Sequence, residues 1–300
     1  ERLSSVDGIS EFMGWNKPVL TDSGGFQVMS LSKLRKISEE GVKFQSHIDG
    51  ASHFLTPENV IDYQNTIKSD IQMVLDECIQ YPESYENVKK SMELSLRWAE
   101  RSRKHYNKNK SKIYGAQFGI IQGGVFEDLR EISISETVNF DFEGYAIGGL
   151  AVGEGHEKMI EVVDYTAPQL PEDKVRYLMG VGKPNDIIEA VYRGVDIFDC
   201  VIPTREGRHG IAYVGSSSIN IKNSKFESDL TPLDESSDYF VSKKYSKSYL
   251  NHLLKIKDPL GPMLISLHNL NYYFNLMTDL GVSIEEGRLD SFREDFYKDN

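Results

Sequence analysis

Six short apolar runs recur along the chain, at 17–21, 70–75, 113–121, 144–149, 175–180 and 195–202, each closed by Gly or a small polar residue. Runs of this length bounded by such residues read as buried strands. Helix-like segments lie between most of them. Thr56-Pro57-Glu58 opens one, with an N-cap Thr, Pro at the first position and an acid in the first turn. Segment 87–104 sets Val88, Met92, Leu94, Leu96 and Trp98 among charges, and segment 184–193 carries Ile187, Ile188, Ala190 and Val191, with Gly194 as its stop. Strands alternating with helices predict βα units and a parallel sheet. A closed (β/α)8 barrel needs eight strands and typically ~250 residues, so six visible strands leave a doubly wound open sheet as the competing architecture on pattern alone. An alternating run at 42–47, within 36–55, reads as a hairpin inserted after the first strand. Beyond Ile202 the pattern changes. Segments 211–214 and 218–221 read as a short β pair, and 246–254, 263–277 and 284–298 as helices. The expected division is a β/α-barrel catalytic part over 1–210 and an α/β appendage over 211–300, packed on the barrel and not independent of it.

Composition adds constraints to this picture. With 39% hydrophobic and 27% charged residues the chain is ordinary for a globular protein. No stretch approaches the ~20 consecutive apolar residues that a membrane span needs, and the opening residues lack the apolar core of a signal peptide. The two cysteines, Cys78 and Cys200, lie far apart. They argue against a disulfide framework and fit a cytoplasmic protein. A net charge of −12 taken alone argues against a nucleic-acid partner. The stretch 205–257, however, sets nine Lys and Arg against six Asp and Glu, and an RNA could be met locally there. On charge alone a solvated mixed face remains the favoured reading.

In parallel β/α folds the working residues gather at the C-terminal ends of strands. There stand Asp22, then Asp76, Glu77 and Cys78, then Gln122, then Gly148, Gly149 and Leu150, then Met179 and Gly180, then Asp199 and Cys200. Any one such Asp is first of all a helix cap, but three on one rim favour chemistry. Gly148–Gly153 does not match the dinucleotide fingerprint, and there is no phosphate-binding P-loop, GxSxG elbow or HExxH pair.

The motifs themselves are similar to those of the tRNA-guanine transglycosylase family. TDSGGFQVMSL from Thr21, SHIDGASHFLTPE from Ser46, DECIQYP from Asp76, GIIQGGVFEDLR from Gly119, GYAIGGLAVGEG from Gly144, YLMGVGKP from Tyr177 and FDCVIPTREGRHG from Phe198 follow in the family's order, nearly end to end. The resemblance implies a TIM-type barrel enzyme that replaces guanine at the wobble position of a tRNA anticodon loop by a 7-deazaguanine-type base, in bacteria 7-aminomethyl-7-deazaguanine, on the way to queuosine. It implies Asp199 as the nucleophile and Asp22 as general acid/base. Asp76 would accept from the purine N–H edge, and Gln122 and the Gly149 N–H would contact its carbonyl. Phe26 and Met179 would sandwich the ring, and Cys78 would line the pocket. Leu150-Ala151-Val152 resembles the bacterial pattern, which favours the precursor base over queuine. Lys183, Arg205 and Arg208 fall where the family contacts RNA. A homodimer is among the assemblies implied.

The chain departs from the pattern twice. The family has about two further βα units before the segment that matches Glu1, so six barrel strands of eight are expected here: either a piece of a longer enzyme, or a barrel closed in another way. The family's structural zinc is held by three Cys and a His. The matching positions are Ser237, Tyr239, Ser242 and His268, so no metal and no other cofactor is expected. His268 reads as a remnant on a helix, with Tyr239, Phe240, Tyr245 and Tyr249 packing in the zinc's place. Two other readings compete with base exchange. A non-catalytic or fragmentary paralogue, binding tRNA or a partner, is opposed by the presence of Asp199 and Asp22. A glycosidase acting on free sugars leaves TDSGGFQ and GGLAVGE without a purpose.

Overall fold

The computed structural model describes residues 6–31, 35–46 and 48–298. His47, the last residue of the alternating run, lies outside them. The chain divides into two compact units, residues 1–179 with 193–197, and residues 180–192 with 198–300.

In the first unit, helix α1 (Ile9–Met13) precedes β1 (Leu20–Thr21) and α2 (Gly25–Leu31). The inserted hairpin is a three-stranded antiparallel sheet of β2 (Arg35–Ser38), β3 (Gly41–Gln45) and β4 (Ser52–Leu55). Then α3 (Pro57–Ile67), β5 (Ile71–Met73), α4 (Tyr85–Asn109), β6 (Ala116–Ile121), α5 (Glu127–Asn139), β7 (Gly144–Ile147), α6 (His156–Thr166) and β8 (Val175–Leu178) alternate as expected, and β9 (Ile197–Phe198) begins in this unit. These strands form a six-stranded sheet in the order β1-β5-β6-β7-β8-β9. Its registered pairs are parallel. Each neighbour in the sheet is the next parallel strand along the chain. That is the order of a (β/α)8 barrel, and the doubly wound alternative, whose strand order reverses at a switch point, is set aside.

Local chemistry accounts for the element bounds. Thr56 caps α3 through a capping box: its side chain accepts from the Asn59 N–H at 3.2 Å, and the Asn59 side chain accepts from the Thr56 N–H at 2.8 Å. Val28, Val42, Val60, Leu75 and the fully buried Trp98 form one core beneath the hairpin, each contributing about 1.5–3 kcal/mol by burial. The β2–β3 turn is tied to α4, because Trp98 Nε1 and Arg101 Nη1 both donate to the Glu39 carbonyl, at 2.8 and 2.7 Å.

In the second unit, α7 (Pro184–Tyr192) and α8 (Ile202–His209) precede the antiparallel pair β10 (Ile211–Val214) and β11 (Ser217–Asn220). Helices α9 (Phe240–Lys244), α10 (Lys247–Lys255), α11 (Leu260–Glu285) and α12 (Leu289–Lys298) follow. The helix expected over 284–298 is broken, since Gly287 adopts a left-handed φ of 66° that ends α11 before α12 begins. His268 is not a remnant. It is 1% exposed, bonded through Nδ1 to the Ser242 hydroxyl at 2.8 Å and through Nε2 to the Tyr213 carbonyl at 2.7 Å. In the same unit Leu233, Val241, Leu250, Leu264 and Ile265 belong to a core on which Tyr239 and Tyr245 pack. Of the other two aromatics, Tyr249 stacks on Tyr245 at 5.8 Å and Phe240 is 55% exposed. No cluster of His, Cys, Asp or Glu fit to hold a metal occurs among the described residues, and no helix among them is long and apolar enough to cross a membrane.

Candidate active site

The first unit brings Asp22, Asp76, Gln122, Gly149 and Cys78 into one cluster at the C-terminal ends of β1, β5, β6 and β7. The β1–α2 turn shapes the first of these. Asp22 Oδ1 accepts from the Ser23 N–H at 2.8 Å, and the buried Ser23 hydroxyl accepts from the Gly25 N–H at 3.2 Å. Asp76 is 7% exposed and receives Gln122 Nε2 at 2.6 Å. Burial, and then the Asp22 carboxylate beside it, push the Asp76 carboxyl up to about 7, with the Gln122 bond opposing them. A carboxyl poised near neutrality in a cleft is a mark of working sites. Next to it, burial pushes the Glu77 carboxyl up as well.

Gln122 is set from behind. Its backbone N–H donates to the Ser133 hydroxyl of α5 at 3.0 Å. Its carboxamide fits against the Gly148–Gly149 turn so closely that a Cβ at Gly149 would stand 2.4 Å from Oε1, and Gly149 also has a φ of 66°. The positive φ favours glycine there, and an added Cβ would also push the Gln122 carboxamide aside. Burial and the neighbouring Asp76 push the Cys78 thiol up to about 12, while the Gly149 backbone acts in the other direction. Cys78 is therefore a neutral thiol and no nucleophile.

Leu150 is buried, and the next two N–H groups, of Ala151 and Val152, donate to the Glu154 carboxylate at 2.5 and 2.9 Å. Met179 closes β8, its N–H on the Ile147 carbonyl at 3.3 Å. Phe26 is 50% exposed and faces an open groove with Cys78, Tyr81 and Val152. A narrower cleft is lined by Gln122, Gly149, Val152, Glu154, Tyr81 and Met92 among others.

In the second unit, exposed Asp199 follows β9 and accepts the Gly180 N–H at 2.8 Å. Burial, against the opposing Ile202 backbone bond and helped by the Asp199 charge, keeps the Cys200 thiol above its ordinary range. Cys200 packs so tightly on Gly182 that a Cβ at 182 would meet its Sγ at 2.0 Å. Lys183, just before α7, and Arg205 and Arg208 on α8 are all exposed cations.

Sequence reasoning passed over three residues that hold this site: Arg130, Ser133 and Glu154. Arg130 and Ser133 sit on α5, which carries no clear apolar stripe, and the only signal for Arg130 was its place at the end of GIIQGGVFEDLR. Arg130 is fully buried. Its Nε donates to the Gly124 carbonyl and its Nη1 to the Ile121 carbonyl, both at 2.9 Å.

Comparison with known proteins agrees with the motifs. The family described as queuine tRNA-ribosyltransferase matches residues 1–300. A queuine tRNA-ribosyltransferase of Rickettsia typhi is 54% identical over 288 residues, 96% of this chain and 79% of that protein. One of Zymomonas mobilis is 50% identical over 297 residues, 99% of this chain and 77% of its own length. One of Pasteurella multocida is 52% identical over 289 residues, covering 96% and 74%.

Proposed function

The chain belongs to the queuine tRNA-ribosyltransferase family, and from that premise we propose that it is a pentosyltransferase exchanging guanine in a tRNA anticodon loop for 7-aminomethyl-7-deazaguanine. The observation that carries this reading is the Asp76–Gln122–Gly149 cluster. A buried carboxylate, a carboxamide and a turn N–H side by side are an acceptor and two donors, the complement of the N–H edge and carbonyl of a guanine-type base. A sugar-binding site has no use for that order of groups. The sequence Leu150-Ala151-Val152 supports the aminomethyl base over queuine.

Asp199 attacks the ribose C1′. A carboxylate O–C1′ bond forms as the C1′–N9 bond breaks, and Asp22 supplies the proton that guanine takes up as it leaves. The incoming base then loses its N9 proton to Asp22, its N9 attacks C1′, and the Asp199 carboxylate is released. Two displacements at one sugar carbon retain its configuration, the logic of retaining carboxylate pairs. Phe26 and Met179 stack on the base. Lys183, Arg205 and Arg208 hold phosphates and make binding salt-dependent without choosing sequence. Packing and the Ser242–His268 bond stand in for a metal. A homodimer and a cytoplasmic setting belong to the same reading.

Incorporation of radiolabelled guanine into tRNA tests it. Wild type should exchange guanine and form a tRNA adduct stable on a denaturing gel. Asp199→Ala should bind RNA but form no adduct. Persistence of the adduct in that variant would assign the nucleophile elsewhere, and absence of exchange by wild type would overturn the function.

A further inference from the structure

A buried guanidinium without a directly bonded carboxylate is costly to keep, and Arg130 is one: the Glu154 charge favours it, with no bond between the two among the described residues. Among the described residues its hydrogen bonds run to the Gly124 and Ile121 carbonyls, and its Nη2 has no hydrogen-bond partner. Burial lowers its pKa to about 10, so it stays charged at neutral pH. Its location gives the cost a purpose. Ile121 precedes Gln122 and Gly124 follows it by two, so one guanidinium clamps the backbone on both sides of the residue that meets the base. Ser133, one turn further along α5, takes the Gln122 N–H. The third corner of the guanidinium faces the turn beyond, since a Cβ at Gly149 would stand 3.5 Å from Nη2. The two base-reading elements, the Gln122 side chain and the Gly149 N–H, are thus backed by a single planar cation.

We propose that Arg130 is a positioning residue for base recognition, a role that rests on the base-exchange reading, holding Gln122 and the Gly149 turn at the spacing that a guanine-type base requires. Its fork geometry matters as well as its charge, because two carbonyls are engaged by two differently directed N–H groups.

The test compares wild type, Arg130→Met and Arg130→Lys, with Arg103→Met as control. Arg103 is likewise buried, on α4, where it pairs with Glu143 at 2.9 Å, and it touches none of the site residues. Guanine exchange is followed for KM of the base, KM of tRNA and kcat, together with hydrogen exchange at the amides of 121–124 and 148–149. A misplacement of about 1 Å costs on the order of 100-fold. Arg130→Met should therefore raise the base KM by roughly 10- to 100-fold, leave the tRNA KM within about twofold, and speed exchange at both amide groups. Arg130→Lys should recover part of the loss. Arg103→Met should lower the melting temperature without moving the base KM.

A base KM within about twofold of wild type in folded Arg130→Met would overturn the proposal, as would an equal rise in Arg103→Met. Should Arg130→Met fail to fold, Arg130→Lys decides by the same criterion. If wild type exchanges no guanine, the function fails and not this role. Arg130 is then judged by amide exchange, and protection unchanged at 121–124 and 148–149 in Arg130→Lys refutes it.

Discussion

In the proposed reading Asp76 couples the stability of the protein to base binding, and Asp76→Asn separates the two. In the folded chain the carboxyl is raised from 3.8 to about 7, by burial first and the Asp22 charge second. Between about pH 4 and 7 the native state therefore holds a proton that the unfolded chain has released. Stability falls as pH rises through that window and levels off above it. At about 1.4 kcal/mol for each tenfold change, the interval from 3.8 to about 7 is worth about 4 kcal/mol against the native state at pH 8. Asparagine keeps an oxygen for Gln122 Nε2 and carries no charge. Asp76→Asn is expected to be more stable than wild type at pH 8 by up to about 4 kcal/mol and nearly equal to it at the acid end of the window. It should also lose base affinity by about 10- to 100-fold, since an amide group replaces one acceptor against the purine N–H edge. Urea unfolding of both proteins across pH 4–8 isolates the difference, because all other titrating groups are shared. Wild type and variant curves that run parallel, or a variant less stable at pH 8, would refute the reasoning. In wild type the base KM should fall as pH rises through about 7, where Asp76 ionises and gains its full acceptor capacity.

Three further outcomes are expected. Asp22→Asn should slow exchange by ~10²–10⁴-fold and, by removing the like charge, move the Asp76 pH window downward; exchange within a few-fold of wild type would show that another group moves the proton. Gly149→Ala should displace the Gln122 carboxamide, whose Oε1 stands 2.4 Å from the added carbon, and raise the base KM with little change for tRNA; an unchanged base KM would refute the fit. Elemental analysis should find no stoichiometric zinc, and Ser242→Ala, which strips His268 Nδ1 of its partner, should cost about 1–3 kcal/mol. A melting temperature that falls on adding a chelator would contradict the first part, and an unchanged stability in Ser242→Ala the second.

Much of the fold was legible because its signals are local. Thr56 and Pro57 announce α3 as written, and the tight β10–β11 pair falls within a residue of its expected bounds. The strand-end carboxylates could be found because a parallel β/α sheet places its strand ends together whatever the details of packing. The pieces that escaped are those whose buried face is polar. Helix α5 buries Arg130, Ser133 and Thr137 beside Leu129 and Ile134, so no apolar period singles it out. Helix α4 runs five residues past its expected end to Asn109, since Tyr106, its one buried residue beyond 104, stands alone among polar neighbours. His268 was misjudged for a related reason. Its worth depends on Ser242 and the Tyr213 carbonyl, 26 and 55 positions away, and no pattern along the chain connects them.

The two thiols offer something unrelated to catalysis. Cys78 lies in the first unit and Cys200 in the second, and burial keeps both protonated in the native state. Only a thiolate reacts at a useful rate with disulfide reagents, so at neutral pH each sulfur should stay silent until its surroundings open and its pKa relaxes. Labelling rates at the two positions, separated by peptide mapping, then act as two internal clocks, one per unit. They would report whether the units open together or in turn, without a probe being attached to either.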